Sequence, residues 1–262
     1  MKIVVCVKQV PATNDAKIDP ETKRIVREGL KATTNPFDTY AVEEAVQLKE
    51  KFGGEVIVLT MGPARADIIL REGISVGADN AVLLSDRAFG GSDTWATSYA
   101  LSKAIEKIGD VDLVICGKQA IDGDTAQVGP GIAAQLGWAQ ATYVMDVPEP
   151  GKNSINVKRM HEDGWDICEV KLPAVLTVVK DINQPRIPTL KGRLAAQKKV
   201  IPTWTAEDIG AEIELIGLNG SPTRVVKTNP PPPRDKDTIK LDGTPDDIAG
   251  KLVHELRLRG LV

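Results

Sequence analysis

The chain has 262 residues, a formal net charge of −3 and an aromatic content of 4%. Few aromatic residues and a slightly negative charge argue against a surface that stacks bases or binds phosphate backbones and anionic lipid. No apolar run approaches the ~20 residues of a membrane-spanning helix. We therefore expect a globular protein that binds no nucleic acid and has no membrane span.

Short apolar runs alternate with segments of helical periodicity in the first half of the chain. The runs are Ile3 to Val7, Val56 to Thr60, Ala81 to Leu84 and Leu113 to Cys116, and the clearest helical pattern covers residues 94–108. Apolar strands separated by helices predict a parallel sheet that is covered on both faces. The predicted fold class is therefore α/β, with a Rossmann-like parallel sheet.

The cysteines and the opening segment favour a cytoplasmic location. Cys6, Cys116 and Cys168 lie far apart and form no CxxC pair, which fits a reducing compartment. The opening "MKIVVCVKQV" is too short an apolar run for a signal peptide, and Lys8 interrupts it.

The pattern changes twice further along the chain. "KIDPETKRIVREG" predicts a surface hairpin, and "NSINVKRMHEDGWDICEVKLPAVLTVVK" predicts three strands that extend the sheet in antiparallel fashion. We divide the chain into an α/β nucleotide-binding domain, 1–198, and a C-terminal arm, 199–262, that packs on a partner chain. In the arm, "KTNPPPPRDKD" predicts an extended spacer, and Thr244 caps a terminal helix with Pro245 at its first position. The alternative is a helix that folds back on its own domain.

Unusual loops belong at the edge of the sheet where its strands end. They are "NPFD" (35–38), "TMGP" (60–63), "SDRAFGGSDTWATS" (85–98) and "GKQAIDGDTAQVGP" (117–130). In an open parallel sheet, ligands collect at this edge. In the first loop, Asn35 is expected to cap a helix that begins at Pro36.

The last of these loops predicts a nucleotide site that is built mainly from backbone. It contains a tight turn from Asp122 to Thr125, and Gln127 follows Asp124 at capping-box spacing. Free N–H groups at a helix start attract phosphate, provided that the two aspartates face away. A purely structural turn is the alternative. Because no nucleophile, acid–base or metal motif is present, we predict no catalytic or metal-binding residue, and a cofactor would supply the chemistry.

Four blocks of the sequence together carry a family resemblance: "KIVVCVKQVP", "NPFDTYAVEEAVQLKEKFGGEVIVLTMGP", "DLVICGKQAIDGDTAQVGP" and "VKRMHEDGWDICEVKLPAVLTVVKDINQPRIPTLKGRLAAQKK". They resemble the beta subunit of electron-transferring flavoproteins. The fourth matches the family signature at Arg159, Glu162, Asp163, Gly164 and Pro173, and departs from it at Asp166 and Cys168. The resemblance implies an adenine-nucleotide alpha-hydrolase-like fold and an FAD-carrying alpha subunit that the C-terminal arm embraces.

The resemblance extends to the electron-bifurcating branch of that family. "SDRAFGGSDTWATS" and "DGDTAQVGP" are similar to members whose beta subunit holds an FAD that accepts hydride from NADH. Electrons would then pass to the alpha-subunit FAD, to an acyl-CoA dehydrogenase-type flavoenzyme, and to ferredoxin or flavodoxin. Gly123, Thr125 and Ala126 would enlarge the pocket. The alternatives are a structural AMP, as in respiratory members, and an ATP-binding regulatory module, since "GGSDT" partly matches a pyrophosphatase phosphate loop.

The resemblance also assigns residues. Arg87 would lie near the flavin, where it could stabilise an anionic reduced ring, or it could simply pair with Asp86. Leu190 would be an exposed anchor that docks into the partner dehydrogenase. The full cofactor-binding set is Cys6, Asn35, Pro36, Phe37, Asp38, Met61, Gly62, Arg87, Asp93, Thr94, Thr97, Gly117, Lys118, Gln119, Asp122, Gly123, Asp124, Thr125, Ala126, Gln127, Val128, Gly129 and Pro130.

Overall fold

The computed structural model describes residues 1–12, 32–148, 151, 153–227 and 238–262. They form two compact units, Met1–Val226 and Lys227–Val262. The predicted hairpin and the proline run both lie outside the described residues.

A nine-stranded sheet is the centre of the first unit. Across it the order is β11-β5-β4-β1-β6-β10-β7-β8-β9; the pairs from β11 to β7 are parallel, and β7–β8 and β8–β9 are antiparallel. The predicted α/β class, with a parallel sheet and an antiparallel extension, is therefore confirmed. The strands are β1 (Lys2–Cys6), β4 (Glu55–Met61), β5 (Asn80–Leu84), β6 (Leu113–Gly117), β7 (Ala139–Asp146), β8 (Ser154–His161), β9 (Gly164–Lys171), β10 (Ala174–Val178) and β11 (Thr203–Trp204); β2 (Gln9–Pro11) and β3 (Ala32–Thr34) pair separately.

One predicted strand is in a different place. The run that follows Pro173 was expected in the antiparallel extension, but β10 inserts between β6 and β7 and is parallel to both. All five of its residues are buried. A continuous apolar run of this kind is typical of a central parallel strand covered on both faces, so the prediction was wrong for β10 and right for β8 and β9.

Helices cover both faces of the sheet. Side chains of β1 alternate, so that Ile3 and Val5 face one core while Val4 and Cys6 face the other. The first core includes α1 (Pro36–Phe52), α2 (Asp67–Ser75) and α5 (Leu190–Lys198), and the second includes α3 (Thr94–Ile108) and α4 (Val128–Leu136).

The second unit contains helix α6 (Pro245–Leu258). As predicted, Thr244 caps it: its Oγ1 accepts from the Asp247 N–H at 3.3 Å, and Asp247 Oδ2 accepts from the Thr244 N–H at 3.2 Å. Residues 199–226 belong to the first unit, where β11 pairs with β5. The expectation that residues 199–262 pack on a partner stays a prediction. Among the described helices, none combines the length and apolar character needed to cross a membrane.

Candidate functional site

Asn35 joins the start of α1 to the loop that follows β6. Its side chain is fully buried; Nδ2 donates to Asp38 Oδ1 and to the Gln119 carbonyl, both at 2.8 Å, and Oδ1 accepts from the Ile121 N–H at 3.1 Å. Asn35 occupies the predicted N-cap position, with Pro36 next, but its side chain makes no capping hydrogen bond. The Asn35 side chain therefore does not cap α1 but forms a tether, which holds the loop after β6 against the start of the helix.

Replacing Asn35 by Ala should lower the free energy of unfolding by about 2 kcal/mol, because buried partners of a lost side chain stay unsatisfied. Thr39→Ala, in the same turn, is the matched control: among the described residues the Thr39 hydroxyl bonds only the Pro36 carbonyl within its own helix, so we expect a change below about 0.5 kcal/mol. Urea unfolding of both variants checks this. Equal losses would contradict the proposed tether.

Asp38 connects three elements at this edge. Its carboxylate accepts from the Lys8 N–H after β1 at 2.7 Å and from Asn35 Nδ2 at 2.8 Å, and it lies against Gly117 at the end of β6. Burial raises the pKa of Asp38 to about 7, against the opposing effect of the hydrogen bonds and of the Lys8 charge. The side chain is therefore a buried junction between β1, β6 and α1.

Two glycines allow the helix starts to approach the sheet closely. A Cβ on Gly117 would lie 2.3 Å from Asp38 Oδ1 and 2.6 Å from the Phe37 carbonyl carbon. A Cβ on Gly129, in the first turn of α4, would lie 2.5 Å from Thr177 Cγ2 in β10. The N-termini of α1 and α4 thus converge on the ends of β6 and β10.

The acidic turn between β6 and α4 differs from its predicted form. Helix α4 begins at Val128 with Gln127 as its N-cap and without a side-chain capping bond, so the capping box proposed for Asp124 and Gln127 is wrong. Asp124 instead accepts from the Gln119 side-chain amide, and Asp122 pairs with Lys8 Nζ at 2.7 Å. The Lys8 ammonium group therefore offsets the charge of Asp122, whereas Asp124 is held by a neutral amide and keeps its negative charge.

Backbone donors remain available in the same loop. Asp124 and Ala126 have left-handed φ angles of 55° and 54°. Among the described residues, no hydrogen-bond acceptor faces the N–H groups of Thr125, Ala126 and Gln127, directly before α4. Successive free N–H groups beside a helix start form an anion-binding concavity.

Helix α3 lies beside the start of α4. Ser98 Oγ, in α3, donates to the Val128 carbonyl at 3.2 Å. Asp93 caps α3 through the N–H groups of Trp95 and Ala96, and its other oxygen accepts from Thr223 Oγ1 at 2.8 Å. The Asp93 carboxylate is thus fully engaged within the chain.

Arg87 is exposed on the loop before α3. The alternative prediction for Arg87 was an ion pair with Asp86. No such ion pair occurs in the part of the chain that the structure describes, so this prediction was wrong. Asp86 instead accepts from the Ala88 and Ala206 N–H groups, which hold its pKa below the ordinary value. Arg87 is therefore free of that carboxylate.

Cys6 and Cys116 lie side by side on β1 and β6, both buried. A hydrogen bond to Cys6, together with burial, raises the pKa of the Cys116 thiol well above its ordinary value.

Met61 ends β4, and the Gly62 N–H donates to the Leu84 carbonyl of β5 at 2.9 Å. No cluster of three potential metal ligands occurs among the described residues.

The structure therefore brings most of the predicted set to the carboxyl ends of adjacent strands. Asn35 to Asp38, Gly117 to Gln119 and the 122–124 turn are joined by direct contacts, and Thr94 and Thr97 lie on the helix beside α4. Leu190 lies elsewhere, at the first residue of α5, and the residue is 74% exposed. Sequence reasoning missed Lys8, and only its position just after the first apolar run could have indicated its contacts with Asp38 and Asp122.

A parallel sheet whose strand ends meet such a loop defines a Rossmann-like α/β protein with a candidate anion site. The family model described as "Electron transfer flavoprotein domain" matches residues 22–209. The chain belongs to the electron transfer flavoprotein beta-subunit family.

Its relatives cover nearly the whole chain. It is 48% identical over 263 residues, 100% of both proteins, to the "Caffeyl-CoA reductase-Etf complex subunit CarD" of Acetobacterium woodii. It is 53% identical over 232 residues, 88% of both proteins, to the "Electron transfer flavoprotein subunit beta" of Thermoanaerobacterium thermosaccharolyticum. It is 47% identical over 265 residues to "Protein FixA" of Azotobacter vinelandii, covering 98% of this chain and 94% of that protein.

Proposed function

We propose that the chain is the beta subunit of a heterodimeric, electron-bifurcating electron transfer flavoprotein. It binds FAD at the edge described above and pairs with an alpha subunit that carries a second FAD. The flavin in the beta subunit supplies hydride acceptance from NADH and the division of the electron pair. With both flavins bound, one electron would pass through the alpha-subunit FAD to an acyl-CoA dehydrogenase-type flavoenzyme, and the other would pass to ferredoxin or flavodoxin.

The observation that carries this proposal is the run of free backbone N–H groups from Thr125 to Gln127, next to the start of α4. The residues present fit the phosphate of a nucleotide. The turn is exposed from Ile121 to Thr125, and a Cβ at Gly123 would meet nothing within 4 Å, so the loop is open to solvent at Gly123. Neutralisation of Asp122 by Lys8 makes this open loop compatible with phosphate. The names of the CarD and beta-subunit relatives add support for a flavoprotein complex.

The deciding experiment is the stoichiometry of FAD and AMP released from the purified heterodimer after saturation with FAD and desalting. We expect two FAD and no AMP for each pair of subunits. One FAD with one AMP would overturn the bifurcating function and leave a structural nucleotide in the beta subunit.

A cytoplasmic location fits this proposal. The cysteines Cys6, Cys116 and Cys168 are all free thiols. Free thiols persist in the reducing compartment that also supplies NADH.

We also propose that Leu190 is the anchor for the dehydrogenase partner. The segment before it is fixed to α1: Arg186 Nε lies 2.9 Å from Glu43 Oε2, and its Nη1 lies 2.6 Å from Glu50 Oε1. Thr189 Oγ1 then caps α5 by accepting from the Gly192 N–H at 3.0 Å. A large apolar side chain presented on such a fixed segment suits insertion into a pocket of the partner.

Leu190→Ala should raise the KM for the dehydrogenase partner about tenfold or more, since loss of a central anchor costs 1–2 kcal/mol or more. Reduction of the complex by NADH should be unchanged. Val200→Ala is the control, because Val200 is 86% exposed and lies outside α5. Steady-state kinetics with the partner as the varied substrate gives the answer, and equal KM values for both variants would contradict the anchor role.

A further inference from the structure

Lys118, directly after β6, holds its ammonium group between two aromatic rings. Its Nζ lies 5.6 Å from the centre of the Phe37 ring and 5.1 Å from that of the Tyr143 ring. Its own N–H donates to the Val178 carbonyl at 2.9 Å, which fixes the backbone. This half-buried cation pairs with no carboxylate within the described ranges of the chain.

Tyr143 reaches this position through a strained backbone. Its φ is 58°, in the left-handed region that costs a bulky residue about 1–3 kcal/mol. Ala141 pairs with Leu176 and Val144 pairs with Val178, so β7 carries one residue more than β10 at this point. The extra residue forms a bulge, and a bulge re-aims a side chain.

The bulge is held from both sides. The Tyr143 N–H donates to Thr177 Oγ1 at 3.2 Å, and Arg159 Nε donates to the Thr142 carbonyl at 3.3 Å. The Thr177 methyl group, in turn, occupies the space where a Cβ on Gly129 would lie. The strained residue is therefore fixed by the same side chain that sets the start of α4.

We propose that Lys118 binds the phosphate of the nucleotide and that Tyr143, with Phe37, is the positioning residue that holds its ammonium group. This inference rests on the proposed function and adds a fixed cation to the backbone donors. An ammonium group between two ring faces is stabilised without an acidic partner. Its charge therefore remains available to a phosphate, which would otherwise compete with a carboxylate. Backbone strain at Tyr143 is retained because it places the ring against Lys118.

The test uses the heterodimer with its alpha-subunit FAD and measures binding of ADP, AMP and adenosine by calorimetry. Lys118→Met and Tyr143→Leu should weaken ADP and AMP about tenfold and leave adenosine unchanged, since adenosine has no phosphate. Tyr143→Phe retains the ring face and should stay within twofold of the wild type. Tyr143→Gly removes both the ring and the strain, so it should lose the same affinity while its Tm is unchanged or higher.

Each other outcome overturns the inference. Equal weakening of ADP and adenosine would assign Tyr143 a merely structural role. Unchanged ADP affinity in Lys118→Met and Tyr143→Gly, with the second FAD still bound, would reject this inference alone. A wild-type complex that binds neither ADP nor a second FAD would reject the proposed function, and this inference with it.

Discussion

Gly117→Ala should lower the free energy of unfolding by about 3 kcal/mol or more, since a new atom in a close-packed position forces backbone shifts. The added Cβ would lie 2.6 Å from the Phe37 carbonyl carbon and 2.8 Å from the Asp38 nitrogen. These are backbone atoms of α1, which cannot turn aside as a flexible side chain could. The start of α1 would have to move away from β6, and the hydrogen bonds of Asp38 and Asn35 would be strained together.

Gly123→Ala is the matched control for this prediction. It lies in the same loop, its φ is not left-handed, and its new Cβ would meet nothing within 4 Å. We expect a change within about 0.5 kcal/mol, or a slight gain from the stiffer unfolded chain. Thermal and urea unfolding of both variants make the comparison, and similar stabilities would show that α1 can move from β6 at little cost.

Local patterns were sufficient to predict much of the fold. Helix α3 has the predicted bounds, and the run from Ile3 to Val7 falls within one residue of β1. These elements follow from apolar periodicity and from neighbours in the chain. The place of β10 was missed because periodicity shows that a strand is buried but not which strands lie beside it.

The place of the candidate loops at the strand ends was predictable, but their contacts were not. The loops were found because strand ends in a parallel sheet share one edge. The bond from Asn35 to the Gln119 carbonyl joins residues 84 positions apart, so local sequence predicted a helix cap in its place. The left-handed φ of Tyr143 likewise depends on the register between β7 and β10. A tyrosine in a predicted strand does not indicate that register.

Asp38 should make the protein less stable as the pH rises from 4 to 7.5. Its pKa is about 7 in the folded chain and 3.8 as an ordinary side chain, so the folded state holds the proton more tightly. The stabilisation that this provides is complete below pH 4 and is lost as the pH rises through 7. Relative to Asp38→Asn, which cannot titrate, wild-type stability should fall by up to about 4 kcal/mol across this range.

Urea unfolding at several pH values measures this difference, and Glu44→Gln separates it from the other carboxyl group of α1 whose pKa is raised by burial. Burial raises the pKa of Glu44 to about 6, so its contribution acts in the same direction but is lost by about pH 6. Between pH 6 and 7.5 the wild type and Glu44→Gln should therefore lose stability in parallel, while Asp38→Asn should not. If stability fell in parallel with pH for all three proteins, a group other than Asp38 would be responsible for the pH dependence. A fall confined to proteins with Asp38 would show that the junction of β1, β6 and α1 folds around a protonated carboxyl, which ionises near neutral pH beside the candidate phosphate site.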